Sequence, residues 1–139
     1  MSKYIYIICP VRKLPPEVKK LLDAYVTKLE EDKDNHVHYP PRDVDQTRSG
    51  MDICIEHSEF MNIADEVHVY WDPESSGSKF DLGMAFVRFL NKPGFKVVII
   101  NKVEPTEEKS FTNVLLAFST AERGYNGGFE RPYWAETEQ

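Results

Sequence analysis

Trp71-Asp72-Pro73-Glu74-Ser75-Ser76-Gly77-Ser78-Lys79-Phe80-Asp81-Leu82-Gly83-Met84-Ala85 joins two hydrophobic rhythms. Before it, Val67, Val69 and Trp71 alternate with His68 and Tyr70, the pattern of a strand over 66–71. After it, Leu82, Ala85, Phe86, Phe89 and Leu90 share one helical face, and the helix stops at Asn91-Lys92-Pro93-Gly94. A strand thus runs through a Ser-, Pro- and Gly-rich loop into a helix that should begin near Ser78. Unpaired N–H groups and the positive end of the helix dipole gather at such a turn, so it can hold a phosphate or another anion. Asp81 falls in the first turn of that helix.

The same alternation extends outward. Tyr4-Ile5-Tyr6-Ile7-Ile8-Cys9 reads as a strand buried on both faces, broken by Pro10-Val11-Arg12-Lys13. Val18, Leu21, Leu22, Tyr25, Val26 and Leu29 mark a helix from Pro15 to about Glu31. His36 to Tyr39 is a short strand ended by Pro40-Pro41-Arg42-Asp43, and 43–50 is a polar loop. Ile53, His57, Phe60 and Ala64 form one stripe of a second helix over 49–64, with His57 inward. Phe95 to Ile100 is a fourth strand, and Phe111, Val114, Leu115, Phe118 and Ala121 mark a fourth helix. The tail over 125–139 has room for a last strand. Strands alternating with helices predict an α/β fold: one domain, a three-layer flavodoxin- or Rossmann-like sandwich, with a parallel sheet of four or five strands and helices on both faces. Ligands in such sheets bind at the carboxyl ends of the strands. The loops after Cys9, Tyr39, Trp71 and Ile100 then share one edge, which gathers Arg12, Arg42, Ser75 to Ser78 and Asp81. Cys9, Pro10 and Asp72 border it.

A chain of 139 residues suits one domain with a real core. The net charge of −6 argues against polymeric nucleic acid and anionic membranes as partners, so a phosphate site would be local. Cys9 and Cys54 lie in apolar patterns without metal-ligand spacing, and no apolar run reaches the roughly 18 residues of a membrane span; a soluble, cytoplasmic protein is expected. There is no GxGxxG after the first strand, no P-loop and no helix-borne metal spacing among His36, His38, His57 and His68, so no metal or organic cofactor is expected. Asp81 has two readings. Ser78-x-x-Asp81 fits a capping box, and the same carboxylate fits a nucleophile beside an anion-binding loop. Arg12 is either a surface residue or a phosphate ligand. His57 is either a satisfied core histidine or a catalyst, Glu56 either a solvated helix residue or an acid, and the Tyr6 and Trp71 rings fit core filling.

Three segments, Ile8-Cys9-Pro10-Val11-Arg12, Ile63-Ala64-Asp65 and Ser75-x-Gly77-x-x-x-Asp81-Leu82-Gly83-x-Ala85, together resemble the nucleoside 2-deoxyribosyltransferase superfamily, and within it the nucleoside 5'-monophosphate N-glycosidases. The resemblance covers roughly residues 3–101. It implies a carboxylate nucleophile that attacks the anomeric carbon, here Asp81 where the family has Glu. It also implies a base-protonating acid, whose position falls on His57 with Glu56 adjacent. Ser75 stands where the monophosphate hydrolases have Ser and the transferases Asp; with Arg12, Gly77 and Ser78 it would cradle a 5'-phosphate. A nucleoside 5'-monophosphate or nucleoside substrate and a homodimer or higher homo-oligomer follow from the same resemblance. A noncatalytic nucleotide-binding or sensing protein is the competing expectation.

Overall fold

In the computed structural model, which describes residues 1–119, the elements run β1 (Lys3–Ile8), α1 (Pro16–Glu30), β2 (Asn35–His38), α2 (Pro40–Asp43), α3 (Gly50–Met61), β3 (Glu66–Val69), α4 (Ser76–Asn91), β4 (Lys96–Ile99) and α5 (Phe111–Phe118). The four strands form one parallel sheet in the order β2-β1-β3-β4. The α/β class and the parallel sheet are therefore as the sequence predicts. Ala121 and the proposed tail strand lie outside the described residues.

The chain leaves β1 toward β2 on one side and then returns past β1 to β3. Right-handed crossovers must then put α1 on one face and α3 and α4 on the other. The core divides accordingly. Ile5, Ile7 and Cys9 pack with Leu22 and Val26 of α1, whereas Tyr6, Ile8, Val67, Val69 and Val97 pack with Leu82, Ala85 and Phe89 of α4 and Leu115 and Leu116 of α5. Both faces of β1 are covered, which is why its sequence is continuously apolar. Phe86 and Phe89 meet Phe118 edge to face at 5.4 and 5.3 Å, tying α5 to α4.

On the α1 face, burial of His68 is compensated by a polar chain. His68 Nε2 donates to Glu66 Oε1 at 2.8 Å, and its Nδ1 lies 2.7 Å from the Tyr25 hydroxyl. Lys3 reaches Glu66 from β1 at 3.3 Å. The hydrogen bond from His68, aided by the charges of His68 and Lys3, holds the Glu66 carboxyl at about 2 against the opposing effect of burial.

Pro40-Pro41-Arg42-Asp43 does more than end a strand: it forms the short helix α2. Two prolines are tolerated in a first turn, and Asp43 Oδ2 accepts the Tyr39 N–H at 2.8 Å. No helix among the described residues is long and apolar enough to cross a membrane.

Candidate functional site

The carboxyl ends of β1 and β3 mark the point where strand order reverses. The loop after β1 leads to α1 on one face and the loop after β3 to α4 on the other, the position at which open α/β sheets take their ligands. After β3, the Asn101 side chain bonds both backbone groups of Trp71, accepting from N–H at 2.8 Å and donating to C=O at 3.0 Å. Trp71 Nε1 donates to Thr112 Oγ1 at 2.9 Å, so the indole is anchored as well as buried. Asp72 then closes a tight turn, accepting the Glu74 N–H at 2.9 Å and, through its backbone, the Ser75 N–H at 3.0 Å.

That turn sets the N-cap of α4 three residues earlier than the Ser78 cap expected. Ser75 is the N-cap, its Oγ accepting the Ser78 N–H at 3.2 Å. The capping box Ser78-x-x-Asp81 does not form; Ser78 is already inside the helix, and its buried hydroxyl makes no hydrogen bond among the described residues. The first intrahelical bond runs from Lys79 N–H to Ser75 C=O at 3.2 Å, so the amides of Ser76 and Gly77 have no intrahelical acceptor. A Cβ built on Gly77 would meet nothing within 4 Å. The Ser75 hydroxyl, accepting from an amide, still has its own proton to donate.

Released from capping, Asp81 turns inward. It is 6% exposed, and its Oδ1 lies 3.3 Å from Nδ1 of His57, itself 8% exposed. An ionised carboxylate only accepts, so Nδ1 is the donor and Nε2 is left as the chemically free nitrogen. Around this pair the fold collects Tyr6 and His38, which register opposite each other across β1 and β2. The Tyr6 ring stands 5.8 Å from His57 and 5.0 Å from His38; the two imidazoles are 5.6 Å apart, edge to face. Among the described residues, Tyr6 Oη, His38 Nε2, His57 Nε2 and Ser78 Oγ are buried without a hydrogen-bond partner of good geometry. Native interiors hold few such groups, and each calls for an explanation such as a ligand or a chemical role. Burial, then the Asp81 carboxylate, push the Tyr6 hydroxyl well above the ordinary tyrosine range, and the same two causes push the Cys9 thiol up to about 12. Cys9 and Pro10 are buried behind the site.

The remaining candidates separate. Arg12 is exposed and makes no hydrogen bond or ion pair among the described residues. It follows the carboxyl end of β1, and the loop turns beside it through Lys13 at φ 56°. Arg42 does not join the expected group. It forks onto both oxygens of Glu30 at 3.0 and 3.1 Å and bonds Asp43 at 2.7 Å, clamping α2 to α1. Glu56 is half-buried and paired with Arg48 at 2.6 Å, which leaves His57 as the group facing Asp81. Tyr6, read in the sequence as core filling, and His38, given no role there, are the two residues that the fold adds to the pair. Among the described residues no group of three or more His, Cys, Asp or Glu side chains is arranged to hold a metal. A cavity of about 470 Å³ flanks the other side of the α4 N-terminus, between Trp71, Pro73, Lys79 and the start of α5; Asp81, His57 and Tyr6 do not line it.

No protein-family model and no curated protein sequence matches the chain. Among solved structures, a 2-deoxyribosyltransferase from Leishmania mexicana aligns with a TM-score of 0.51 at 20% identity, over 72% of this chain. The fold resembles that of a deoxyribosyltransferase. The chain covers 66% of that structure's length.

Proposed function

We propose that this chain cleaves the N-glycosidic bond of a nucleoside 5'-monophosphate, with Asp81 as nucleophile and His57 as acid. The observation that carries the reading is the approach of His57 to Asp81 at 3.3 Å, both buried, near the edge at which α/β sheets take their ligands. In the first step an Asp81 oxygen attacks the anomeric carbon, the carbon–nitrogen bond breaks, and its electron pair leaves with the base, which takes the proton from His57 Nε2. Nε2 stands one imidazole width beyond Nδ1, toward the roughly 5–5.5 Å that retaining glycosidases keep between nucleophile and acid. Water then attacks the glycosyl–Asp81 ester, gives its proton to His57, and frees the sugar phosphate. A second nucleobase in place of water would make the reaction a transfer. Neither a metal nor an organic cofactor enters this scheme.

The 5'-phosphate would sit on the amides of Ser76 and Gly77 with the Ser75 hydroxyl and Arg12, a hydroxyl donor being compatible with phosphate where a carboxylate would repel it. Homo-oligomerisation belongs to the same proposal. Because Asp81 is only 6% exposed, the residues over it must move aside for substrate.

The burial of Asp81, together with its side chain being one methylene shorter than Glu, favours one other reading: a nucleotide-binding protein that does not turn its ligand over. Chromatography for free base after incubation with ribo- and deoxyribonucleoside 5'-monophosphates and their nucleosides separates the two. Base release from monophosphates, lost in Asp81→Ala while binding persists and retained or raised in Asp81→Glu, is the expected result. Normal turnover by Asp81→Ala would remove Asp81 from the mechanism, and binding without release from any substrate would leave the sensing reading.

A further inference from the structure

The cavity of about 470 Å³ beside the α4 N-terminus has a charge pattern opposite to that of the chain. The protein carries 23 acidic and 17 basic residues, yet the charged side chains that line this cavity are Lys79 from α4 and Lys109 from the loop before α5. Among the described residues no carboxylate lines it, and neither lysine makes an ion pair or a hydrogen bond. The rest of the wall is largely apolar, with Trp71, Pro73 and Phe111. The Trp71 indole is a fixed part of it, donating to Thr112 Oγ1 at 2.9 Å. Phe111, the first residue of α5, leaves a large ring 59% exposed. The hydroxyls nearby are engaged within the protein: Ser110 Oγ accepts the Asn113 N–H at 3.1 Å and meets Thr106 Oγ1 at 2.7 Å, and Thr112 holds Trp71. The two lysines are therefore the cations left to meet a ligand.

We propose that this cavity binds a small planar aromatic anion, with its ring against Trp71 and Phe111 and its phosphate or other oxyanion at Lys79 and Lys109. The volume lies within the range of sites that take a single small molecule. Aromatic walls hold a flat ring by offset or edge-to-face contact, and the lysine ammonium, a compact charge with three donors on a flexible stem, suits an oxyanion. The N-terminal ends of α4 and α5 add positive potential on the same side. Both lysines are exposed, so their charge alone holds an anion weakly, and affinity comes from ring and charge together. Asp81, His57 and Tyr6 do not line the cavity, so the proposal is independent of the cleavage reaction.

The test titrates the full chain with 1-naphthyl phosphate, 1-naphthol and inorganic phosphate while the Trp71 indole N–H signal is followed by NMR, with Trp134→Phe used to tell the two indoles apart. Naphthyl phosphate should move the Trp71 signal saturably, at least tenfold more tightly than naphthol, and inorganic phosphate should leave it in place. Replacing both lysines, Lys79→Gln with Lys109→Gln, should weaken naphthyl phosphate at least tenfold. These side chains are exposed and unpaired among the described residues, so the fold should persist. Gly77→Ala should leave this affinity unchanged. A Trp71 signal that does not move, an affinity unchanged in the double lysine variant, or naphthol binding as tightly as its phosphate overturns the proposal. A tenfold loss in Gly77→Ala also overturns it, because the probe would then sit on the amides at the start of α4.

Discussion

Replacing Gly77 with alanine should push stability and ligand affinity in opposite directions. Gly77 is the second residue of α4 and exposed, its φ is not positive, and an added Cβ would meet no heavy atom within 4 Å. Alanine there loses less backbone entropy on folding, so the folded state should gain about 0.5 kcal/mol and the midpoint rise by roughly 2 °C. Side chains in a helix lean toward its N-terminus, so the new methyl would project into the space where an anion must sit to reach the amides of Ser76 and Gly77. Crowding of that contact should weaken monophosphate binding at least tenfold, about 1.4 kcal/mol, and leave any weak binding of the unphosphorylated nucleoside unchanged. Differential scanning calorimetry and isothermal titration with a deoxynucleoside monophosphate and its nucleoside provide both readings. A higher midpoint with unchanged monophosphate affinity would refute the phosphate cradle. A lower midpoint would refute the reading of the helix start.

Two further perturbations test the framework around the site. Glu66 has its carboxyl held at about 2, below its ordinary 4.5, so it stabilises the fold fully above pH 4.5 and progressively less as pH falls toward 2. Glu66→Gln should therefore be less stable than wild type at pH 7, by on the order of 1–2 kcal/mol once solvent screening is allowed for, and the gap should close by pH 2–3; a gap constant with pH in thermal melts would contradict the His68 contact. Phe89→Ala removes a ring that is 1% exposed between the sheet and Phe118. It should cost about 3–5 kcal/mol and lower the melting midpoint by roughly 10–20 °C, and a loss under 1 kcal/mol in chemical denaturation would show that α5 does not seal that side of the core.

The parallel sheet was legible because each strand is announced by its own local pattern, and β1, covered on both faces, by an unbroken apolar run. The inward turn of His57 followed from a stripe at helical spacing. The partners of these groups were not legible. Tyr6 is indistinguishable by pattern from Ile5 or Ile7; only its register opposite His38 and the arrival of α4 above it place it beside Asp81. The capping-box pattern pointed to Ser78 as the cap, whereas the Asp72 turn, a matter of backbone geometry, hands that role to Ser75. Arg42 was placed by its loop at the ligand edge, but Glu30, at the end of a helix that packs on the far face, claims it.

The four side chains of the buried polar cluster come from β1, β2, α3 and α4, and among the described residues the strands of the sheet that aligns them pair in parallel throughout. Parallel pairing closes large loops before it repays them, so such contacts form late in folding. No fragment short of β1 through α4 contains the ensemble, and a nascent polypeptide acquires Asp81 last of the four. The His57 resonance is accordingly a reporter of native topology: it should take its folded position in a single kinetic phase with global folding, and no partly ordered species should display it.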